Sequence, residues 1–134
     1  MDINEIVYYI KNSVLPYLKV KNTHPHVYVS EAYLEYQQAR RYEYQSKLNY
    51  FNPNHTELLL SNRDERNAIW CFLHSASKGY SSAQFKLGQC YLNGQLGLAS
   101  NTFKAQEWLA LAANQGHIEA QTELTKIHNA QLLS

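Results

Sequence analysis

Residues 64–100 of this chain read DERNAIWCFLHSASKGYSSAQFKLGQCYLNGQLGLAS, and residues 101–128 read NTFKAQEWLALAANQGHIEAQTELTKIH. The second segment repeats the first at an offset of 37 positions, the distance from residue 64 to residue 101. Eight aligned positions hold identical or similar residues: Asp64 with Asn101, Ala68 with Ala105, Phe72 with Leu109, Ala76 with Ala113, Gly79 with Gly116, Ala83 with Ala120, Gln84 with Gln121 and Leu87 with Leu124. A period of this length is typical of stacked helical repeats, so the sequence predicts a repeat architecture.

Each copy predicts a helix, a tight turn and a second helix. Asp64 and Asn101 stand where a side chain can accept from the free N–H groups of a first turn, so both are predicted N-caps. Gly79 and Gly116 follow the first helices, where a left-handed turn favours a residue without Cβ. Apolar residues three and four apart predict a buried stripe on every helix. The stripe comprises Ala68, Cys71, Phe72, Ala76, Ala83, Leu87, Cys90 and Tyr91 in the first copy, and Ala105, Trp108, Leu109, Ala112, Ala113, Ala120, Leu124, Ile127 and His128 in the second.

The two copies resemble the Sel-one-like repeat, a relative of the tetratricopeptide repeat. The resemblance is carried by Lys104, Ala105, Trp108, Leu109, Ala112, Ala113, Gly116, Ala120 and Leu124, and by Ala68, Phe72, Ala76, Gly79, Ala83, Leu87, Gly88, Tyr91, Gly94, Gly97 and Leu98. The chain departs from the family pattern at Cys71, Asn101 and Thr125, and in the loop at 94–97, which is longer by one residue. The resemblance implies an all-α fold, a short α-solenoid of antiparallel helix pairs.

We expect a single domain over residues 1–134, with a first repeat at 64–100 and a second repeat plus C-terminal helix at 101–134. Residues 1–63 are interpreted as an N-terminal helical cap or a degenerate repeat, because two copies alone are too few to bury both of their faces. Predicted helices in this part run from Asp2 to Leu18, from Glu31 to Tyr50, and from Thr56 to a point before Asp64.

Composition argues against several classes of function. The net charge is +1, so no strong field directs the chain to nucleic acid or to an anionic membrane. The sequence shows no secretory signal and no transmembrane segment, which would need about 20 mostly apolar residues. We therefore expect a cytoplasmic protein in which Cys71 and Cys90 are reduced core residues, a disulfide between them being the alternative. No phosphate-binding loop, nucleophile elbow or paired-histidine zinc helix occurs, so neither an enzyme nor a cofactor is predicted.

Two groups of residues resemble metal sites only in part. His24 and His26 supply two ligands without a third, and we interpret them as a surface loop. Cys71 and His74 lie three apart on one helix, a spacing that can share a metal ion. Cys71 belongs to the core stripe, however, so both are given structural roles and no metal is predicted. His117, directly after Gly116, is assigned to packing at the turn.

The residues around an arginine pair have the composition of an RNA-binding surface. Arg40 and Arg41 lie among Tyr33, Tyr36, Tyr42 and Tyr44, and such side chains can pair with and stack on single-stranded RNA. Glu35 and Glu43 flank the pair and offset its charge. The favoured interpretation is a helix that packs its tyrosines, with RNA binding kept as an alternative.

The candidate site lies on the first helices of the two copies, off the core stripe. Its residues are Trp70, Leu73, His74 and Ser77 in the first copy and Glu107, Leu111 and Asn114 in the second. Such faces line the concave surface of helical solenoids, and Trp is frequent among binding hot spots. The resemblance implies a non-catalytic adaptor or scaffold that binds another protein. The alternative functions are an inhibitor or immunity protein and an RNA-binding regulator, and the partner can also be a second copy of the chain. The alternative for Trp70 and Leu73 is a core role in which the N-terminal helix covers them.

Overall fold

The computed structural model describes residue 4, residues 29–51 and residues 55–134. The chain divides into two compact units, Met1–Ser30 and Glu31–Ser134. The second unit contains α1 (Glu31–Tyr50), α2 (His55–Ser77), α3 (Ser81–Asn93), α4 (Thr102–Asn114) and α5 (Ile118–Leu132). Of the helix predicted from Asp2 to Leu18 the structure describes Asn4, which is helical; the rest, with most of the connection that follows, lies outside the described residues.

The five helices of the second unit pack as antiparallel neighbours, so the predicted all-α solenoid is confirmed. Each helix packs against the next one along the chain. The contacts of α1 with α2 and of α3 with α4 are the most extensive. The core therefore runs along the array as a series of helix pairs, as expected for a repeat architecture.

The hairpin of α1 and α2 has a fully buried alanine on each helix. Ala39 and Ala68 are fully buried in the same apolar cluster. On one side of them Ser75 Oγ donates to the carbonyl of Ala32, and on the other Ser61 Oγ donates to the carbonyl of Ser46 at 3.0 Å. Each bond lies about two helical turns from the alanines. The two helices are therefore antiparallel and joined at both ends by side-chain hydrogen bonds.

The N-cap prediction for Asp64 is wrong, because α2 runs without a break from His55 to Ser77 and Asp64 lies within it. No Gly or Pro occurs in this segment, so nothing stops the helix before residue 64. The Asp64 carboxylate is buried and accepts a hydrogen bond from Asn49 Nδ2 of α1 at 3.1 Å. The N-cap prediction for Asn101 is confirmed, since its Oδ1 accepts from the backbone N–H of Lys104 at 3.0 Å.

The two predicted turns close in the same way. Gly79 and Gly116 have φ angles of 87° and 86°, the left-handed conformation that the sequence predicts for them. Each turn carries the pair of backbone bonds of a Schellman motif. These bonds are Gly79 N to Ala76 O and Tyr80 N to Ser75 O in the first turn, and Gly116 N to Ala113 O and His117 N to Ala112 O in the second.

Burial follows the predicted stripe closely. Both cysteines are free and buried, as expected, and His117 stacks on Phe85 at the second turn with 4.6 Å between ring centroids. Tyr91, Trp108, Ala113 and Leu124 are half-buried, and the remaining stripe residues are buried with one exception. His128 is exposed, so its assignment to the stripe is wrong; it follows Ile127 on α5, where a step of about 100° turns the side chain away from α4.

Candidate functional site

The seven predicted site residues lie on α2 and α4, outside the buried stripe. Trp70 is 58% exposed and Leu111 is 49% exposed, which is unusual for side chains of this size and apolarity. Leu73 is half-buried, and the remaining four, His74, Ser77, Glu107 and Asn114, are exposed. The segment that would cover Trp70 and Leu73 in the alternative interpretation lies outside the described residues.

A cleft of about 470 Å³ lies between α2 and the loop that follows α3. We call it the Trp70 cleft. Its apolar wall is formed by Ile69, Trp70, Leu73, Leu96 and Leu98, with Gly97 beside them, and its polar rim by Asn62, Glu65 and Arg66. An apolar wall with a few polar groups at the rim is a common composition for binding sites.

A second cleft, of about 510 Å³, lies between α2, α3 and α4. This Leu111 cleft is lined by Leu73, Tyr91, Lys104, Glu107, Trp108 and Leu111. Leu73 lines both clefts, so the two are adjacent and form one groove across the first helices of the two copies. The structure thus brings Trp70, Leu73, Glu107 and Leu111 together in the groove. The other three predicted residues, His74, Ser77 and Asn114, line neither cleft.

A network of polar contacts centred on Glu35 supports the Trp70 side of the groove. The His74 ring stacks on Trp70 with 4.0 Å between centroids, and His74 Nδ1 lies 3.5 Å from Glu35 Oε1 of α1. The same carboxylate oxygen accepts a hydrogen bond from Lys78 Nζ at 2.8 Å. Sequence reasoning missed Glu35 as a site residue, because it lies 39 positions before His74 and no local pattern connects the two.

A third cleft, of about 400 Å³, lies on the other side of the loop that follows α3. We call it the Phe51 cleft; it is lined by Glu43, Ser46, Lys47, Tyr50, Phe51, Glu65, Gln95 and Leu96. Tyr50 and Phe51 are strongly exposed and contact each other edge to face. Sequence reasoning did not find this cleft, although the extra residue in the loop was a signal that the loop differs from the family pattern.

The described residues contain no group of three or more His, Cys, Asp or Glu that could hold a metal ion. His24 and His26 lie outside them. Burial, with a smaller contribution from the charge of Glu35, raises the pKa of the Cys71 thiol to about 11. Cys71 is therefore protonated at neutral pH, the opposite of what a thiolate ligand requires.

The arginine pair proposed for RNA binding is partly engaged within the protein. Arg40 Nη1 donates to the Tyr36 hydroxyl at 3.3 Å, and Arg40 Nε lies 3.7 Å from the Glu43 carboxylate. The Tyr36 ring in turn packs against Phe72 and Tyr80. These contacts favour the structural role predicted for the tyrosines of α1.

Among the described residues, no helix combines the length and the hydrophobicity that a membrane span requires. Residues 81–117 match the family model of the Sel1 repeat, and the predicted resemblance is thereby confirmed for α3, the loop, α4 and the Gly116 turn. A search of the curated proteins found no significant match, and neither did a search of the solved structures. The matched segment starts at the second helix of the first predicted copy and covers the α3–α4 hairpin.

Proposed function

We propose, from the Sel1 repeat at residues 81–117, that this chain is a non-catalytic cytoplasmic adaptor or regulator that holds a protein partner in the groove formed by the Trp70 and Leu111 clefts. Sel1-repeat modules typically bind proteins. One observation carries the proposal: Leu73 lines both apolar clefts, so the two clefts are continuous. A large, half-exposed side chain lies in the wall of each cleft, Trp70 in one and Leu111 in the other.

The contacts of Trp70 make it suitable as an anchor for a partner. A partner that covered Trp70 and Leu111 would remove two large apolar surfaces from water, and such residues dominate interface energies. The Trp70 ring is already stacked on His74, whose Nδ1 lies beside the Glu35 carboxylate of α1. Lys78, directly after α2, pairs with the same carboxylate. An anchor that is ordered before binding loses less conformational entropy when the complex forms.

Replacing both anchors tests the proposal. We expect the double variant Trp70→Ala with Leu111→Ala to lose partner binding while keeping its melting temperature, because both side chains lie off the core stripe. The matched control is Phe103→Ala with Ile118→Ala, which removes side chains that are 70% and 72% exposed and line none of the three clefts. The measurement is an affinity pull-down from the native host's lysate with nuclease treatment, read by mass spectrometry.

The outcome of that pull-down also separates the alternatives. Undiminished capture of the same protein by the Trp70 and Leu111 double variant contradicts the groove assignment. Loss of the captured protein's activity on binding identifies an inhibitor, and unchanged activity supports an adaptor. Recovery of RNA that disappears at high salt supports the RNA-binding alternative. Capture of the chain by itself, with a doubled mass in light scattering, identifies a homodimer.

A further inference from the structure

Two residues separate the Trp70 cleft from the Phe51 cleft. Glu65 and Leu96 line both clefts, so the Glu65 carboxylate and the Leu96 side chain form the divide between two apolar depressions. Large apolar side chains lie on each side of the divide: Trp70 and Ile69 on one, Tyr50 and Phe51 on the other. A ligand that entered both clefts would have to pass over Glu65.

The divide carries a carboxylate that makes no ion pair with any described residue. Glu65 has no ion pair and no side-chain hydrogen bond among the described residues, and it is half-buried. The other carboxylate of the Phe51 cleft, Glu43, accepts from Lys86 at 2.7 Å and from Lys47 at 3.0 Å. The cation of the Trp70 cleft, Arg66, lines that cleft and not the Phe51 cleft. At the divide itself the complementary ligand group is therefore a cation.

The position of Leu96 is fixed at an energetic cost. Its φ angle is 54°, in the left-handed region that residues with a Cβ rarely adopt. The conformation is maintained because the side chain packs against the core cluster that contains Phe72 and Leu87. Strained residues of this kind are concentrated at binding sites. The wall between the two clefts is consequently built before any ligand arrives.

We propose that the occupant of this surface is a linear peptide segment with a Lys or Arg flanked on both sides by large apolar side chains. The basic group pairs with Glu65, and the flanking side chains enter the Trp70 and Phe51 clefts. The inference rests on the proposed function, because it uses the Trp70 cleft, and it adds the chemistry of the partner and a second cleft. The chain's net charge of +1 gives no general attraction for basic peptides, so a basic preference would come from Glu65.

Selection of a random-peptide phage library on the immobilised full chain tests this inference. We expect the wild type to enrich peptides with a Lys or Arg between large apolar residues. Glu65→Gln should weaken the binding of a selected peptide by about 1.5- to 5-fold, the range of a partly exposed ion pair. Glu65→Lys should abolish the basic preference in a new selection. Lys and Glu have similar helix propensities, so both variants are expected to fold, with circular dichroism as the check.

The matched control is Glu119→Lys, which changes the net charge by the same amount on α5, away from the three clefts. Peptides without a basic residue, or a basic preference that Glu65→Lys leaves unchanged, would overturn the inference. If the selected peptides fail in either of these ways but still lose binding to the Trp70→Ala, Leu111→Ala double variant, the inference is wrong and the proposed function stands. A library that yields no binder also overturns the inference, and the lysate pull-down then decides the proposed function independently.

Discussion

Replacing Gly88 with alanine should destabilise the protein, although alanine is the better helix former. Gly88 lies within α3, and a Cβ at this position would lie 2.5 Å from Leu109 Cγ and 2.6 Å from Leu109 Cδ2. Carbon atoms in favourable contact are about 3.5–4.0 Å apart. Leu109 is fully buried against α5, so its side chain has no room to withdraw. The cost of overpacking is about 1–3 kcal/mol, and the gain in helix propensity is about 1 kcal/mol.

The net effect of Gly88→Ala is therefore a loss of about 1 kcal/mol in the free energy of unfolding, with the steric and propensity terms opposed. Leu109→Ala should cost about 3 kcal/mol by itself, because it leaves a cavity. In that background the steric term is absent, so Gly88→Ala should become stabilising by about 1 kcal/mol. The same substitution thus changes sign between the two backgrounds, which is a coupling that a double-mutant cycle measures directly.

Urea unfolding followed by far-UV circular dichroism gives the four free energies of this cycle. The control is Thr125→Ala, at the position of the second copy that corresponds to Gly88. Thr125 is exposed on α5 and already carries a Cβ, so the exchange should be neutral or stabilising by up to about 0.7 kcal/mol. If Gly88→Ala stabilises the wild type by about 1 kcal/mol, or has the same sign in both backgrounds, the close approach of Gly88 in α3 to Leu109 in α4 is refuted.

Three further predictions concern the core and its charges. Leu109→Asp should unfold the domain, because it buries a charge without a partner, and an unchanged thermal melt would disprove the helix register. Burial alone would raise the pKa of Glu43, but hydrogen bonds from Lys86 and Lys47 lower this pKa overall. The ionised carboxylate therefore stabilises the fold at pH values above its pKa in the unfolded chain. This stabilisation is lost as the pH falls through its lower pKa in the folded protein. Replacing Lys86 with Met should flatten the dependence of stability on acidic pH in urea titrations; an identical pH profile would contradict this. Burial raises the pKa of the Cys90 thiol to about 11, so iodoacetamide should modify it at neutral pH only when the protein unfolds, and fast labelling of the native chain would contradict its buried position.

The candidate groove could be predicted in part. Removing the buried stripe from a helical pattern leaves the residues of the opposite face, and this places Trp70 and Leu111 at the surface of α2 and α4. The same reasoning included His74, Ser77 and Asn114, which the structure keeps outside the clefts. A helical pattern predicts which side of the helix a residue lies on. It does not predict how far the neighbouring helix and loop extend along that side, and this extent decides which residues line a cleft.

The remaining parts of the site depend on contacts between distant segments. Glu35 contacts His74 from another helix. Leu96 separates two clefts, and it lies in a loop whose conformation no local sequence pattern specifies. Tyr50 and Phe51 belong to a cleft because the α1–α2 hairpin brings the end of α1 beside the loop after α3. Each of these positions is set by packing between helices, which the spacing of residues along one helix does not record.

The sequence by itself determined the helical repeat, its two glycine turns and most of its buried residues. These features depend on local geometry: a glycine favours a left-handed turn, and a period of about 3.6 residues selects one face of a helix. The tertiary structure decided that α2 continues through Asp64, that Gly88 accommodates Leu109, and that Glu65 and Leu96 separate two clefts. Asp64 shows the physical reason. Its side chain alone is a good N-cap, but the helix continues through it and Asn49 of α1 donates to its carboxylate, so Asp64 is buried between two helices.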